Sequence, residues 1–471
     1  MSILENYQPQ KVWHYFEEIC GIPHGSGDTA RISDYLAAFA KERGLRYVQD
    51  ELNNVIIYKD GTPGYESAPT VILQGHMDMV CEKRPDVVHD FTKDGLKLGV
   101  DGDFIHANGT TLGGDDGIAV AMGLALLDSD DIPHPPLEIV ITVDEEIGLL
   151  GAAGLDCSLL KGRKMINLDS EKEGGLWVSC AGGMVGETCI PVRRVEGEGL
   201  KLCVTVTGLL GGHSGAEIDK IRGNASKLMG RVLFALSRQN FFAITELSGG
   251  SKDNAIPREC VCRMLIAEEE KEEIFAKIRK TEADLQKEYA GSDEGLRIEI
   301  AEEGTASEMV LHPGSQSKVL FFLENLPNGV HKMSGTLPGL VETSSNLGIL
   351  ELQEDCLLAH ASIRSSVLSA RDAISDRIEF LTEFLGGEYE VQGAYPAWEY
   401  RRDSALRDLM TDVWKELYGT ELAVVAIHAG LECGLFHEKM EGLDCVSMGP
   451  DIFDIHTSEE RLSISSVERV W

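Results

Sequence analysis

The chain has 471 residues, 43% of them apolar, and a formal net charge of -35 from 43 basic and 78 acidic side chains. That length favours two or three domains over a single core, and that charge excludes broad binding along a nucleic-acid backbone. No run of about 18 apolar residues suggests a membrane span. The start, Met1-Ser2-Ile3-Leu4-Glu5-Asn6, has neither the basic segment nor the apolar core of a secretory signal. The expectation is a cytoplasmic protein with no nucleic-acid or membrane partner. The eleven cysteines are scattered without a repeated CxxC pair and read as reduced thiols.

In chain order, Val12, Trp13, Phe16 and Ile19 fall at helical spacing behind Pro9, and Ile32, Leu36, Phe39 and Ala40 do so again. Short strands are expected at 45–49 and 54–58. The apolar run that starts at Val71 reads as a buried strand. It delivers His76 and Asp78 to its C-terminal end, where open α/β sheets place their chemistry. A small antiparallel excursion is expected around 96–106. The turn at 109–117, Gly-Thr-Thr-Leu-Gly-Gly-Asp-Asp-Gly, leads into a buried helix at 118–127. A strand at 137–143 runs straight into Asp144-Glu145-Glu146, the stretch 151–160 holds a helix, and a strand at 165–168 ends at Asp169. The strand–helix–strand order predicts an α/β sheet.

The pattern changes after about residue 185. Strands at 201–207, 242–247, 259–266 and 296–301 alternate with helices at 225–236 and 270–289. Residues 317–385 repeat the theme in element order, which predicts two small α+β halves side by side. From 395 the α/β pattern returns: a helix at 404–418, a strand at 422–427, a short helix at 431–438, a strand at 445–449 and a final helix at 459–470. The expected organisation is a catalytic domain formed by 1–185 and 391–471, interrupted by an α+β insertion at 186–390.

The recurring chemical feature is acidic and imidazole groups at strand ends and glycine turns. Two metals about 3.5–4 Å apart jointly polarise an amide carbonyl and activate water, and need a carboxylate that bridges them. Imidazole and carboxylate together suit zinc, with cobalt or manganese as alternatives. Each segment alone has an ordinary reading. Asp115 and Asp116 would cap a helix N-terminus, Glu145-Glu146 would be a solvated turn, and a single His-x-Asp means little. The segments gain weight from occurring in this order behind predicted strands.

Gly75-His76-Met77-Asp78-Met79-Val80, Gly113-Gly114-Asp115-Asp116-Gly117, Asp144-Glu145-Glu146-Ile147-Gly148 and Asn167-Leu168-Asp169-Ser170 resemble the successive motifs of the M20 metallopeptidases. The resemblance covers essentially the whole chain and is nearest to the aminoacyl-histidine (Xaa-His) dipeptidase branch. It implies a discontinuous zinc-peptidase catalytic domain with an inserted α+β lid of two ferredoxin-like halves, and two divalent cations, zinc before cobalt or manganese. His76 and Asp169 become ligands of one metal, Glu146 and His456 of the other, and Asp115 bridges them. Asp78 holds and polarises His76, and Glu145 becomes the general base. The Asp115-Asp116 peptide is expected to be cis.

In the lid, His213 of Gly211-Gly212-His213-Ser214-Gly215 resembles the histidine that stabilises the oxyanion. Asn254 resembles a substrate-binding asparagine, Arg364 the clamp on the substrate's terminal carboxylate, and Gly430 a backbone contact for that terminus. The implied reaction is hydrolysis of dipeptides, preferentially Xaa-His including β-alanyl-histidine. The alternatives are a broader peptidase, an N-acyl-amino-acid hydrolase, or a non-catalytic peptide-binding protein on the same fold. A homodimer is expected, with a monomer as the alternative, and it stays open whether His213 serves its own site or a neighbour's.

Overall fold

The computed structural model describes residues 3–471. The chain divides into two compact units: residues 3–180, 398–426 and 431–471 in the first, and residues 181–397 with 427–430 in the second. The strands Gly182–Pro191 and Glu388–Tyr395 run across the expected limits at 185/186 and 390/391, so the first division falls earlier, at 180/181, and the second later, at 397/398. Gly430, expected in the catalytic part, belongs to the second unit.

The first unit is built on an eight-stranded mixed sheet. Its central strand, Val71–His76, runs parallel to Leu137–Thr142 on one side and to Lys164–Asn167 on the other. Every residue of Leu137–Thr142 is buried, as expected of a central strand covered on both faces. The helix Gly114–Leu127 is likewise buried along almost its whole length. The helix Gln10–Cys20 turns Val12, Trp13, Phe16 and Ile19 inward at the expected spacing. Beside the large sheet lies a four-stranded antiparallel one, formed by Leu98–Asp101, Phe104–Ala107, Arg461–Ser463 and Ile452–Phe453. The first two strands are the expected excursion. Arg461–Ser463 replaces the beginning of the expected final helix, which starts only at Ile464, behind the Ser463 cap. The stretch 151–160 holds only the short helix Leu150–Gly154 and a turn at Cys157–Leu159.

The second unit is a nine-stranded sheet with two nested halves. In the first half, Arg194–Thr207, Ala225–Ser237, Phe242–Gly249, Cys260–Ile266, Lys271–Glu288 and Arg297–Leu311 follow as strand, helix, strand, strand, helix, strand. Its first strand pairs with both its third and its fourth, and the second pairs with the third, which is the ferredoxin-like arrangement. The other half repeats it with Gly182–Pro191, Pro313–Asn325, Val341–Leu352, Cys356–Ser365, Leu368–Phe384 and Glu388–Tyr395. The halves join where Ser248 and Gly249 pair with Glu351 and Leu350. They are therefore nested and not in tandem: the opening strand of the second half precedes the whole of the first.

Candidate active site

Three parallel neighbours bring their chemistry to one edge of the first unit's sheet. His76 is the last residue of Val71–His76, Asp144, Glu145 and Glu146 follow Leu137–Thr142, and Asp169 follows Lys164–Asn167. The turn after Leu137–Thr142 is sharp because Asp144 takes a left-handed backbone, φ 54°. Its carboxylate accepts the Gly27 backbone N–H at 2.7 Å. His456 stands in the same backbone region, φ 60°, in the loop between Ile452–Phe453 and Arg461–Ser463. Asp115 comes from the glycine turn before the buried helix, and the Asp115-Asp116 peptide is cis.

These segments meet. Asp115 Oδ1 lies 3.2 Å from His76 Nε2, and Oδ2 lies 3.3 Å from His456 Nε2. Asp169 is 3.4 Å from His76 Nε2, and Glu146 is 2.9 Å from His456 Nε2. His76 with Asp116 and Asp169, His76 with Glu145 and Glu146, and Asp115 with Glu146 and His456 each gather donor atoms within 4.8 Å of one another. One carboxylate thus stands between two imidazole-carboxylate groups. Asp116, which sequence reasoning left out of the ligand set, accepts the His76 backbone N–H at 3.2 Å. Its signal was the Asp-Asp doublet. It approaches so closely because residue 75 is glycine: a Cβ there would lie 2.3 Å from Asp116 Oδ2.

Asp78 has wider contacts than expected. Its carboxylate lies 3.4 Å from His76 Nδ1, which is nearer, at 3.0 Å, to the Asp78 carbonyl oxygen. The same carboxylate accepts the Ser26 hydroxyl at 2.8 Å and the backbone N–H of Glu145 at 3.1 Å. It therefore orients both the His76 ring and the loop that presents Glu145 and Glu146.

Burial opposes charge on His76, but Asp169, Asp115 and Asp78 outweigh it and hold the imidazolium well above its usual range. Bonds to Asp115 and Glu146 raise His456 to about 10. Burial pushes the Glu145 carboxyl well up; His76 opposes this, while Asp169, Glu432 and Glu146 add to it. Burial likewise pushes Asp169 up, against His76 and with Asp115 and Glu432. So many carboxyls crowded into a buried space call for cations. Two imidazoles among carboxylates are a donor set for zinc, cobalt or manganese, and Asp115 has the placement a bridging ligand needs.

Two further glutamates escaped sequence reasoning. The buried Glu460 accepts backbone N–H groups from Leu112 at 2.7 Å and Gly113 at 3.1 Å through one oxygen. Its other oxygen takes Gly114 at 2.8 Å and Asp115 at 3.4 Å. It fills a nest of donors in the turn that carries Asp115. Glu432, fully buried, accepts Gln74 Nε2 at 2.5 Å and the Thr142 hydroxyl at 2.6 Å, and Gln74 in turn accepts Asn167 Nδ2 at 2.7 Å. This network crosses the three central strands just behind the edge that bears His76 and Asp169. Burial pushes Glu432 up to about 7. Glu460 sits in an ordinary Glu459-Glu460 pair and Glu432 beside the His428–Gly430 loop, and nothing in their spacing marks either, so neither was assigned a role.

The other expected residues, His213, Asn254, Arg364 and Gly430, lie in the second unit. Gly212–His213 pairs with Ala255–Ile256, and the Ser214 N–H donates to the Asn254 carbonyl at 2.8 Å. His213 and Asn254 line one groove of about 720 Å³. His213 Nδ1 accepts the N–H groups of Gly215 at 3.1 Å and Ala216 at 3.0 Å. That leaves its proton on Nε2. Burial and the Arg364 charge both lower its pKa, which keeps the ring neutral and a donor. Arg364 Nη1 donates to the Tyr395 hydroxyl at 2.7 Å. Gly430 packs on the Tyr395 ring, where a Cβ would come within 2.8 Å.

The chain matches known proteins along its length. A cytosol non-specific dipeptidase from Escherichia coli K12 is 35% identical over all of this chain and 97% of its own. The crystal structure of an aminoacylhistidine dipeptidase from Vibrio alginolyticus superposes with a TM-score of 0.91 at 36% identity, covering 99% of this chain and 96% of that one. A tripeptidase from Staphylococcus aureus shares the fold at 18% identity and a TM-score of 0.54, over 98% of this chain and 96% of that one. The model of peptidase family M20/M25/M40 matches residues 72–470. The chain belongs to that family and is a metal-dependent peptide hydrolase.

Proposed function

We propose that the protein hydrolyses dipeptides, preferentially those of Xaa-His type including β-alanyl-histidine. The observation that carries the hydrolytic part is the Asp115 carboxylate between His76 and His456, with Glu145 alongside. In this reading His76 and Asp169 would hold one divalent cation, Glu146 and His456 the other, with Asp115 as the shared ligand. Bound there, two such ions, zinc before cobalt or manganese, would supply Lewis-acid polarisation of the amide carbonyl and a nucleophilic water at neutral pH.

The remaining work falls to the chain. Glu145, its carboxyl pushed up by burial, takes a proton from the attacking water and passes it to the leaving amine. Asp78 keeps the Glu145 loop and the His76 ring in register. His213 donates from Nε2 to the carbonyl oxygen as charge builds on it. Arg364 takes the C-terminal carboxylate, with Asn254 and the Gly430 backbone as further substrate contacts. The reading includes a homodimer in the cytoplasm. A monomeric mass by light scattering would reject the dimer. Among the described residues no helix is long and apolar enough to cross a membrane.

The histidine preference is supported by the likeness to the aminoacylhistidine dipeptidase. The Escherichia coli relative, called non-specific, favours a second reading of a broader dipeptidase. Both are tested by turnover of the metal-reconstituted protein on Xaa-His dipeptides, other dipeptides, tripeptides and N-acyl amino acids. The expected result is highest kcat/KM on Xaa-His. Equal rates on unrelated dipeptides would favour the broader reading. Strong tripeptide or N-acyl turnover with none on Xaa-His would reject the proposal. Binding without turnover under zinc, cobalt and manganese would mark a non-catalytic binder.

A further inference from the structure

One row of residues crosses the second unit's sheet. Ser344 stands opposite Arg364, Arg364 opposite Gly183, and Gly183 opposite Tyr395. Directly opposed residues in antiparallel strands point to the same face. Arg364 and Tyr395 therefore flank a position that has no side chain. The tyrosine ring leans across that gap and brings its hydroxyl to 2.7 Å from Arg364 Nη1. A Cβ on Gly183 would lie 2.4 Å from the Tyr395 hydroxyl oxygen and 2.5 Å from Cζ, so alanine there would displace the ring. Gly430 bounds the slot from the loop side, where a Cβ would come within 2.8 Å of Cε2. On the other side of Arg364, Ser344 Oγ lies 2.7 Å from Nε2 of His428, which belongs to the same short loop as Gly430.

The character of this support matters as much as its position. None of the ion pairs among the described residues involves Arg364, and its Nε–H is buried without a partner. A carboxylate in the place of Tyr395 would fix the guanidinium equally well, but would neutralise it and compete with an incoming anion. A phenol hydroxyl fixes one nitrogen and leaves the full charge, with the rest of the fork, for a planar carboxylate.

We infer that Tyr395 is a positioning residue, which sets the Arg364 guanidinium for a free C-terminal carboxylate and so makes the protein distinguish peptide acids from peptide amides. This rests on the reading of Arg364 as the carboxylate contact. The two ideas are separable with Tyr395→Phe and Arg364→Met in the full-length, metal-loaded protein, assayed on one dipeptide and on its C-terminal amide. Tyr395→Phe removes one oxygen and keeps the ring in its slot.

For Tyr395→Phe, KM on the acid should rise about tenfold, equivalent to about 1.4 kcal/mol. Its kcat should stay within about twofold of wild type, with both constants on the amide unchanged. A wild-type KM on the acid overturns the inference, and so does an equal loss on acid and amide, which would mark simple packing. Arg364→Met should abolish the preference for acid over amide. If it does so while Tyr395→Phe behaves as wild type, only the role of Tyr395 fails. If Arg364→Met keeps the preference, the carboxylate reading of Arg364 fails and the inference with it.

Discussion

Glu460 grips the backbone of Asp115 from the far end of the chain: its carboxylate takes the Asp115 N–H at 3.4 Å and those of Leu112, Gly113 and Gly114 at 2.7–3.1 Å. It lies four residues beyond His456, so one side chain ties together two segments that meet at the candidate metal centre. Glu460→Gln would turn amide N–H groups toward backbone donors. Hydrogen bonds to a charged group contribute about 1.5–3 kcal/mol each. The expected outcome is a stability loss of about 2–4 kcal/mol in urea unfolding, together with weaker binding of one of the two metal equivalents. Unchanged stability and metal content would show that the turn holds itself.

Removal of metal has a predictable sign. Asp115, Glu145, Glu146 and Asp169 crowd one space in which, among the described residues, His76 and His456 are their cationic partners. Chelation should abolish turnover and lower the unfolding temperature, and zinc, cobalt or manganese should restore both. A stabilising ligand at a hundredfold excess over its Kd contributes about 2.7 kcal/mol per site. Full activity after exhaustive chelation would contradict the metal-dependent reading.

A pH effect follows from His428. Burial pushes its imidazole down to about 3, and the Arg364 charge acts in the same direction. In the unfolded chain the group titrates near 6.5. Between about 3 and 6.5 the unfolded chain therefore binds more protons, and stability rises with pH. The contribution is complete above about 6.5 and falls progressively in acid, by about 2 kcal/mol at pH 5. Urea unfolding at pH 5 and pH 7.5 should show a smaller difference for His428→Gln than for the parent. An identical difference would mean that the ring already titrates normally in the fold.

The parts of this molecule that the sequence revealed are those with a strong period or a distinctive cluster. The helices Gln10–Cys20 and Ala225–Ser237 and the strand Val71–His76 carry clear apolar patterns and lie where they were expected. Gly175–Cys180 and Gly182–Pro191 were missed because glycines interrupt the alternation. Arg194–Thr207 and Arg297–Leu311 extend beyond the expected strands because Glu196, Glu198, Glu302 and Glu303 expose their outer ends and mask the pattern. The helical reading of 459–470 failed at Arg461–Ser463, where pairing with Phe104–His106 overrides local propensity. The clustered acidic and histidine motifs identified the residues that meet at the sheet edge. Glu460 and Glu432 received no role this way, because what they do depends on contacts 290 or more positions away.

Glu145 is the residue proposed to move the proton beside a pair of bound cations. The most direct test of that role is kcat of Glu145→Gln on a cleaved dipeptide, with metal content measured on the same sample. The expected result is two metal equivalents per chain and a kcat lower by about 10²–10⁴. Wild-type turnover by a fully loaded Glu145→Gln protein would contradict it.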